Sequence, residues 1–325
     1  MKWIKKILKK FNGLYYPQEY LCLAKESFQH PLHVYFIGNN KIIKDITHSH
    51  IFVGYNPLIL VLNFVSEDLH PLSEVIEIVF TQTSLPLNEN LKKKDAIARL
   101  SLQIIQKHVI EGTHIFYYEG IKGAHYFLSP FHQYIIGLSN RLFNKRPGNV
   151  FLSGNLYMQV QIAYAIPRII SLITVSNGSL YNLFPTDLHG ALGESYYCIS
   201  LRQNGKACKQ VESAGRIVIS QMQGNAYKMV YALGKNHMQD LKPQYSFPFT
   251  QSLSKTLGLP LPESTSSYRE LELIESFEQG IHKILVFKIL SQQILDQNPA
   301  TLAHIHNVYA TWRHNKGLAG NYLLR

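Results

Sequence analysis

At 325 residues the chain exceeds the common single-domain size, so two domains are the default expectation. Its hydrophobic fraction of 46% and charged fraction of 16% describe a chain that buries a real core, which excludes wholesale disorder. The net charge of +11 is spread over both halves, with 17 basic and 11 acidic residues in 1–150 and 15 and 10 in 151–325. It forms no nucleic-acid-binding block and suits small anionic ligands.

The chain opens with a basic amphipathic segment. Lys2, Lys5, Lys6, Lys9 and Lys10 oppose Trp3, Ile4, Ile7, Leu8 and Phe11 at helical spacing. The expectation is a helix packed on the domain with a solvated basic face. Contact of residues 1–12 with an anionic membrane surface is the weaker alternative. The apolar run is too broken for a secretory signal, and no 18-residue uncharged apolar stretch exists. Strands are expected over 34–37 and 41–46 about Gly38-Asn39-Asn40, then over 57–64 and 75–81. Residues 91–110 read as a helix, with Ile97, Leu100, Ile104 and Ile105 on one stripe. A hairpin is expected from 113–118 and 124–128 about the turn 119–123, and a second helix over 131–143. Arg146-Pro147-Gly148-Asn149 marks the linker. This first half, 1–150, is read as an α+β domain of unknown role. Strands, helix and hairpin recur in loosely similar order in both halves, but no aligned residues support a duplication and none is expected.

The second half, 151–325, is more legible. Residues 168–175 are apolar and β-branched, as in a mostly buried strand. Asn177-Gly178 then gives the strongest short-range hairpin signal, because both central residues of a type I′ turn need positive φ. The strand returns over 180–184 and stops at Pro185, which cannot donate to a ladder. Thr186, Asp187 and His189 lie in a polar loop with Gly190 and Gly193. A third strand, 195–201, ends at Ser200 and Arg202, two apart and on one face. Lys206 opens a short helix with Ala207, Val211 and Ala214 on its apolar side, and Gly215 is placed to end it. A helix start supplies orphan N–H groups, and Ser200, Arg202 and Lys206 add a hydroxyl, a fork and an ammonium. That set suits a phosphate. It equally describes an ordinary strand-to-helix turn with solvated basic residues.

The order of these pieces resembles the flavin reductase-like FMN-binding split-barrel family. The residues that carry the resemblance are Ile173-Thr174-Val175, Asn182 to Asp187, Ile199-Ser200-Leu201-Arg202, Ser213 to Ile219, and the turn Gln279-Gly280-Ile281-His282 between two strands. Ile281 stands where the family usually has Asp. The match spans about residues 155–325. It implies a Greek-key split barrel in the C-terminal half, preceded by the α+β domain. By the same resemblance Thr174, Asn182, Phe184, Pro185, Thr186 and Asp187 would line the flavin ring, and Ser200, Arg202 and Lys206 would hold the FMN phosphate. His282 would lie on the nicotinamide side, a surface turn histidine being the alternative. The implied cofactor is FMN, with FAD as the alternative and NAD(P)H as co-substrate, and the implied assembly is a homodimer. The implied activity is NAD(P)H-dependent flavin reduction. A non-catalytic flavin-binding or redox-sensing module is the second reading.

Other chemistries leave weaker traces. Cys22, Cys198 and Cys208 form no CxxC pattern, which argues against a disulfide framework and for a reducing cytoplasm. Lys206 and Lys209 near Cys208 would lower its pKa, although its expected role is packing. His48/His50 and His304/His306 have a spacing that fits a metal, yet each lacks nearby third and fourth ligands, so no metal is expected. The run 309–314 suits either closure over a ligand or partner, or core packing.

Overall fold

The computed structural model describes residues 13–14, 20–24, 32–65, 74–143, 152–297, 300–317 and 322–324. The basic segment at the start and the linker at 146–149 lie outside them. In chain order the first half holds β1 (Tyr20–Ala24), β2 (His33–Gly38), β3 (Lys41–Asp45), β4 (His50–Tyr55), β5 (Leu58–Val65), β6 (Val75–Thr81), β7 (Ala96–Ile110) and β8 (Thr113–His125). Helices α1 (Pro130–Phe143) and α2 (Gly154–Ala165) lead to β9 (Arg168–Ile169), β10 (Ser171–Asn177), β11 (Leu180–Thr186), β12 (His189–Leu192) and β13 (Tyr196–Arg202). Then come α3 (Lys206–Ala214), β14 (Arg216–Met222), α4 (Tyr227–Leu233), β15 (Lys242–Pro243), β16 (Phe249–Leu253), β17 (Pro260–Pro262), β18 (Thr265–Gln279) and β19 (His282–Ile294). The chain closes with β20 (Thr301–Ile305), α5 (Asn307–Asn315) and β21 (Tyr322–Leu324).

Two large antiparallel sheets dominate, so the protein is β-rich with few helices. The first has the order β3-β2-β6-β7-β8-β5-β4; the second has β15-β11-β10-β14-β18-β19-β13-β12. With β15 set aside as an added edge, the two orders are the same when β2 is matched to β10, β3 to β11, β4 to β12, β5 to β13, β6 to β14, β7 to β18 and β8 to β19. The loosely similar order noted in the sequence is thus a strand-for-strand match, against the expectation of no duplication. Counting through the ladders matches core residues pairwise: Val34 with Ile173, Phe36 with Val175, Leu62 with Ile199, Ile78 with Ile217, Leu100 with Leu271, and Phe116 with Leu285. All of these are buried, each set inside its own half's core. Thr47-His48-Ser49-His50 falls on Thr186-Asp187-Leu188-His189. The backbone bond from Asn63 N to Ser49 O, at 3.0 Å, repeats as Ser200 N to Leu188 O at 2.8 Å.

The halves pack through the matching strands β4, β5, β8 and β12, β13, β19. Ile51, Val53, Ile59, Val61, Ile115 and Tyr117 share one buried cluster with Leu192, Tyr196, Cys198, Ile284 and Val286. Such self-matching contact is the signature of a two-fold interface, here within one chain. His108 and Phe277, equivalent positions on β7 and β18, stack on each other with centroids 5.9 Å apart. Asn63 Nδ2 donates to Ala191 O at 3.4 Å, and its counterpart Ser200 Oγ donates to Val53 O.

The structure departs from several expectations. Pairing does not stop at Pro185: β11 runs on to Thr186, with Pro185 and Thr186 opposite Leu172 and Ser171, and His189 opens β12. Residues 96–110 form a strand, not a helix: Ala98, Leu100 and Leu102 are buried at period two, which overrides the three- and four-residue spacing of the isoleucines. Residues 119–123 form no turn, and β8 runs through them. Gly120 and Gly123 are there because Gln159 of α2 packs against the strand, and an added Cβ would stand 2.2 Å from Gln159 Oε1 or 2.9 Å from its Cγ. Of the two readings left open for 309–314, the structure has core packing: Tyr309 and Trp312 of α5 are buried in the first half's core. No helix among the described residues is long and apolar enough to cross a membrane.

Candidate functional site

A cleft of about 800 Å³ opens where the second half meets the first. Its walls include Pro185, Thr186, Asp187 and Leu188 after β11, Ser200 and Arg202 at the end of β13, and the turn into α3. Ile281 and His282 at the start of β19, with Tyr55 and Tyr164, complete it. The structure therefore brings together Pro185, Thr186, Asp187, Ser200, Arg202 and His282. Thr174, Asn182 and Phe184 do not line it: all three are fully buried. Asn182 donates from Nδ2 to Gln210 Oε1 at 2.7 Å and to Asn236 O at 3.1 Å, tying β11 to α3 and to the segment after α4. Lys206 stands on the surface at the start of α3, 2.6 Å from Asp240.

The local sequence explains the geometry. Gly205 precedes α3 because a Cβ there would press on Arg202 O at 3.1 Å. Gly215 ends the helix at φ +66. Ala207, Cys208 and Val211 are the buried side of α3 and plug the core beneath β10, β13 and β14. The first N–H groups of α3 have no partner inside the helix and stand at the cleft wall.

Each polar side chain of the cleft has a definite state. Arg202 donates from Nε and Nη2 to Tyr55 Oη at 2.9 and 2.5 Å, and its guanidinium stands over the Tyr55 ring at 5.6 Å. The rest of its fork is left for a ligand. Asp187 is committed: Arg168 Nη2 donates to it at 2.9 Å and His304 Nδ1 at 2.8 Å. Burial alone would raise the Asp187 pKa, but the Arg168 charge and the two hydrogen bonds outweigh it and hold the carboxyl well below the usual range. His282 is 2% exposed, and its Nδ1 lies 3.1 Å from Ser200 Oγ. The Ser200 proton goes to Val53 O, so His282 Nδ1 donates to Ser200. His282 Nε2 is then a lone-pair acceptor, buried and without a partner. Burial, reinforced by Arg202, pushes the His282 pKa down to about 4, so the ring is neutral at pH 7. His237 is likewise lowered by burial, and its Nε2 donates to Pro185 O at 2.7 Å.

Residues outside the sequence motifs matter as much. Tyr55, Tyr164 and His237 come from segments that no local pattern marks, while the sequence marks Arg168 and His304 only as a strand start and as half of a metal-spaced pair. Cys208 lines the cleft, but burial, with Glu212 adding to it, pushes its thiol up to about 11. The two lysines therefore do not activate it. The paired histidines part company: His50 Nδ1 donates to Ile46 O at 2.9 Å, His304 serves Asp187, and the His306 ring packs on Tyr164. No cluster of three metal-ligating side chains occurs among the described residues. A smaller cavity of about 250 Å³ lies beyond Asp187, next to His50, His189 and Arg269. His189 is spent on Tyr197 Oη and Ile169 O, and Arg269 donates from Nε to Gln292; the larger cleft, which gathers the residues marked in the sequence, is the candidate site.

No family model matches the sequence, and no curated protein does. Among solved structures, an FMN-binding protein from Thermus thermophilus with bound p-hydroxybenzaldehyde is similar, with 20% identity over 39% of this chain and 72% of that one and a TM-score of 0.35. An NADH:FAD oxidoreductase from Streptomyces globisporus C-1027 has 12% identity over 50% of this chain and 96% of its own, with a TM-score of 0.41. The styrene monooxygenase flavin reductase from Pseudomonas putida S12 has 15% identity over 43% of this chain and 89% of its own, with a TM-score of 0.36. Each alignment spans half of this chain or less.

Proposed function

We propose that the cleft binds FMN, with FAD as the alternative, and that the chain is a flavin-dependent oxidoreductase fed by NADH or NADPH. The observation that carries this reading is the convergence of Pro185, Thr186, Asp187, Ser200, Arg202 and His282 on one cleft of ligand-sized volume. His282 lines the cleft with its Nδ1 held 3.1 Å from Ser200 Oγ, so the orientation of its ring is fixed by the second half itself.

The residues fit the group. The free edge of Arg202 and the start of α3 would hold the phosphate, with Lys206 adding charge from the surface. Pro185, Leu188, Leu201 and Tyr164 offer flat and apolar contact to a ring system. Asp187 serves by fixing Arg168 and His304 rather than by touching the ring with a free carboxylate. Ser200 orients His282. His282, neutral near pH 7, would present an uncharged ring to the ligand, its one N–H spent on Ser200. A bound flavin supplies hydride transfer itself, and the chain supplies binding, orientation and shelter from water.

The test is binding of FMN against riboflavin, which lacks the phosphate. Arg202→Ala is expected to weaken FMN at least about tenfold and leave riboflavin nearly unchanged. An equal loss for both would move the phosphate away from Arg202.

A further inference from the structure

We infer that the first half is an internal mate for the second, taking the place that a second copy of the chain would otherwise occupy, and that the pair keeps a single ligand cleft. The matching strand orders establish the pairing, and the contact between the halves uses the same positions from each. Gly190 lies against Ile51, where a Cβ would come within 2.8 Å. The β18–β19 turn lies on Asn56, with Ile281 N donating to Asn56 O at 3.2 Å. A surface covered in this way is not open to a second copy.

The two halves have diverged where the ligand would sit. The register places Asn63 at the position of Ser200, Val65 at that of Arg202, His48 at that of Asp187 and Thr113 at that of His282. The first half thus carries no cation in place of Arg202 and no imidazole in place of His282. Its contribution goes instead to the other half's cleft. Tyr55, at the end of β4, reaches across to accept both Arg202 hydrogen bonds, and its ring meets the His282 ring edge-on at 4.6 Å. Tyr55 is therefore a positioning residue: it aims the guanidinium that would meet the ligand's phosphate.

The inference rests in part on the flavin reading, and the experiment separates the two. Light scattering of the full chain over a range of concentrations gives the mass, and FMN titration gives the stoichiometry. The expected result is one chain of 37.2 kDa, with or without FMN, and one FMN per chain. Tyr55→Phe should weaken FMN about tenfold and leave riboflavin unchanged, a split that general loosening of the cleft would not produce. A two-chain mass required for binding, or two FMN per chain, overturns the internal-mate inference. Unchanged FMN affinity in Tyr55→Phe overturns the role given to that residue. A one-chain mass without any FMN binding supports the internal pairing and overturns the flavin reading.

Discussion

Replacing Gly280 by alanine tests the docking of the two halves at one atom. Gly280 sits at φ +57 in the β18–β19 turn, and a Cβ there would fall 1.9 Å from Asn56 O and 2.4 Å from Pro57 Cδ. Real Cβ atoms essentially never approach closer than 3.0 Å, so turn and loop must separate by about an ångström. Gly112 is the matched control: it lies in the equivalent β7–β8 turn at φ +80, with nothing within 4 Å of its Cβ position. Left-handed backbone alone costs an alanine about 1 kcal/mol, whereas overpacking against a backbone adds about 1–3 kcal/mol. Urea unfolding should therefore show Gly112→Ala losing about 1 kcal/mol and Gly280→Ala about 3 kcal/mol. FMN affinity should fall only in Gly280→Ala, because that turn leads directly into His282. Equal losses in the two variants would refute the close packing of the halves.

Other expectations follow from the charged and titrating groups. Arg168→Met should destabilise the fold by about 3–5 kcal/mol, since it leaves the Asp187 carboxylate with His304 alone; thermal or urea unfolding checks this. His282 has a folded-state pKa of about 4 against 6.5 unfolded, so the unfolded chain binds the extra proton between those values. Stability is full above pH 6.5 and falls as the pH drops towards 4, by up to about 1.4 kcal/mol per pH unit from this group. His282→Gln should flatten the slope by that amount, and an unchanged slope would place the proton elsewhere. His189, also lowered to about 4, adds in the same direction and remains in the variant. Lys206→Ala should weaken FMN less than Arg202→Ala, because its ammonium is exposed and already faces Asp240.

Much of the second half was legible because its signals are local. The hairpin expected at Asn177-Gly178 forms one residue later, with Gly178-Ser179 as its central pair, Asn177 paired to Leu180 and only Gly178 at positive φ; Ser200 and Arg202 share a strand end, and Gly215 stops α3. The first half misled because its signals are ambiguous. In β7 the isoleucine spacing fits a helix, and only pairing with β6 and β8 decides for a strand. Gly120 and Gly123 look like a turn until Gln159 is seen against them. The likeness of the halves lies in pairing order and in apolar positions filled mostly by different residues, with scattered identities such as Leu100 and Leu271, which no contiguous motif reports. Tyr55 was invisible for a related reason: it meets Arg202 across 147 residues of sequence. The sequence marks Ser200 for the phosphate, yet its hydroxyl is spent on Val53 O, and it marks Asp187 for the ring although that carboxylate is spent on Arg168 and His304. In both cases residue type and spacing marked the right region, while the partner that fixes each group's role lies in another segment.

The most direct test of the account is a visible absorbance spectrum of the full chain with FMN under anaerobic conditions, before and after addition of NADH or NADPH. The account predicts a perturbed flavin band on binding and its rapid bleaching by the reduced nicotinamide, with both effects diminished in Arg202→Ala. A folded protein that leaves the FMN spectrum unperturbed at saturating concentrations would contradict it.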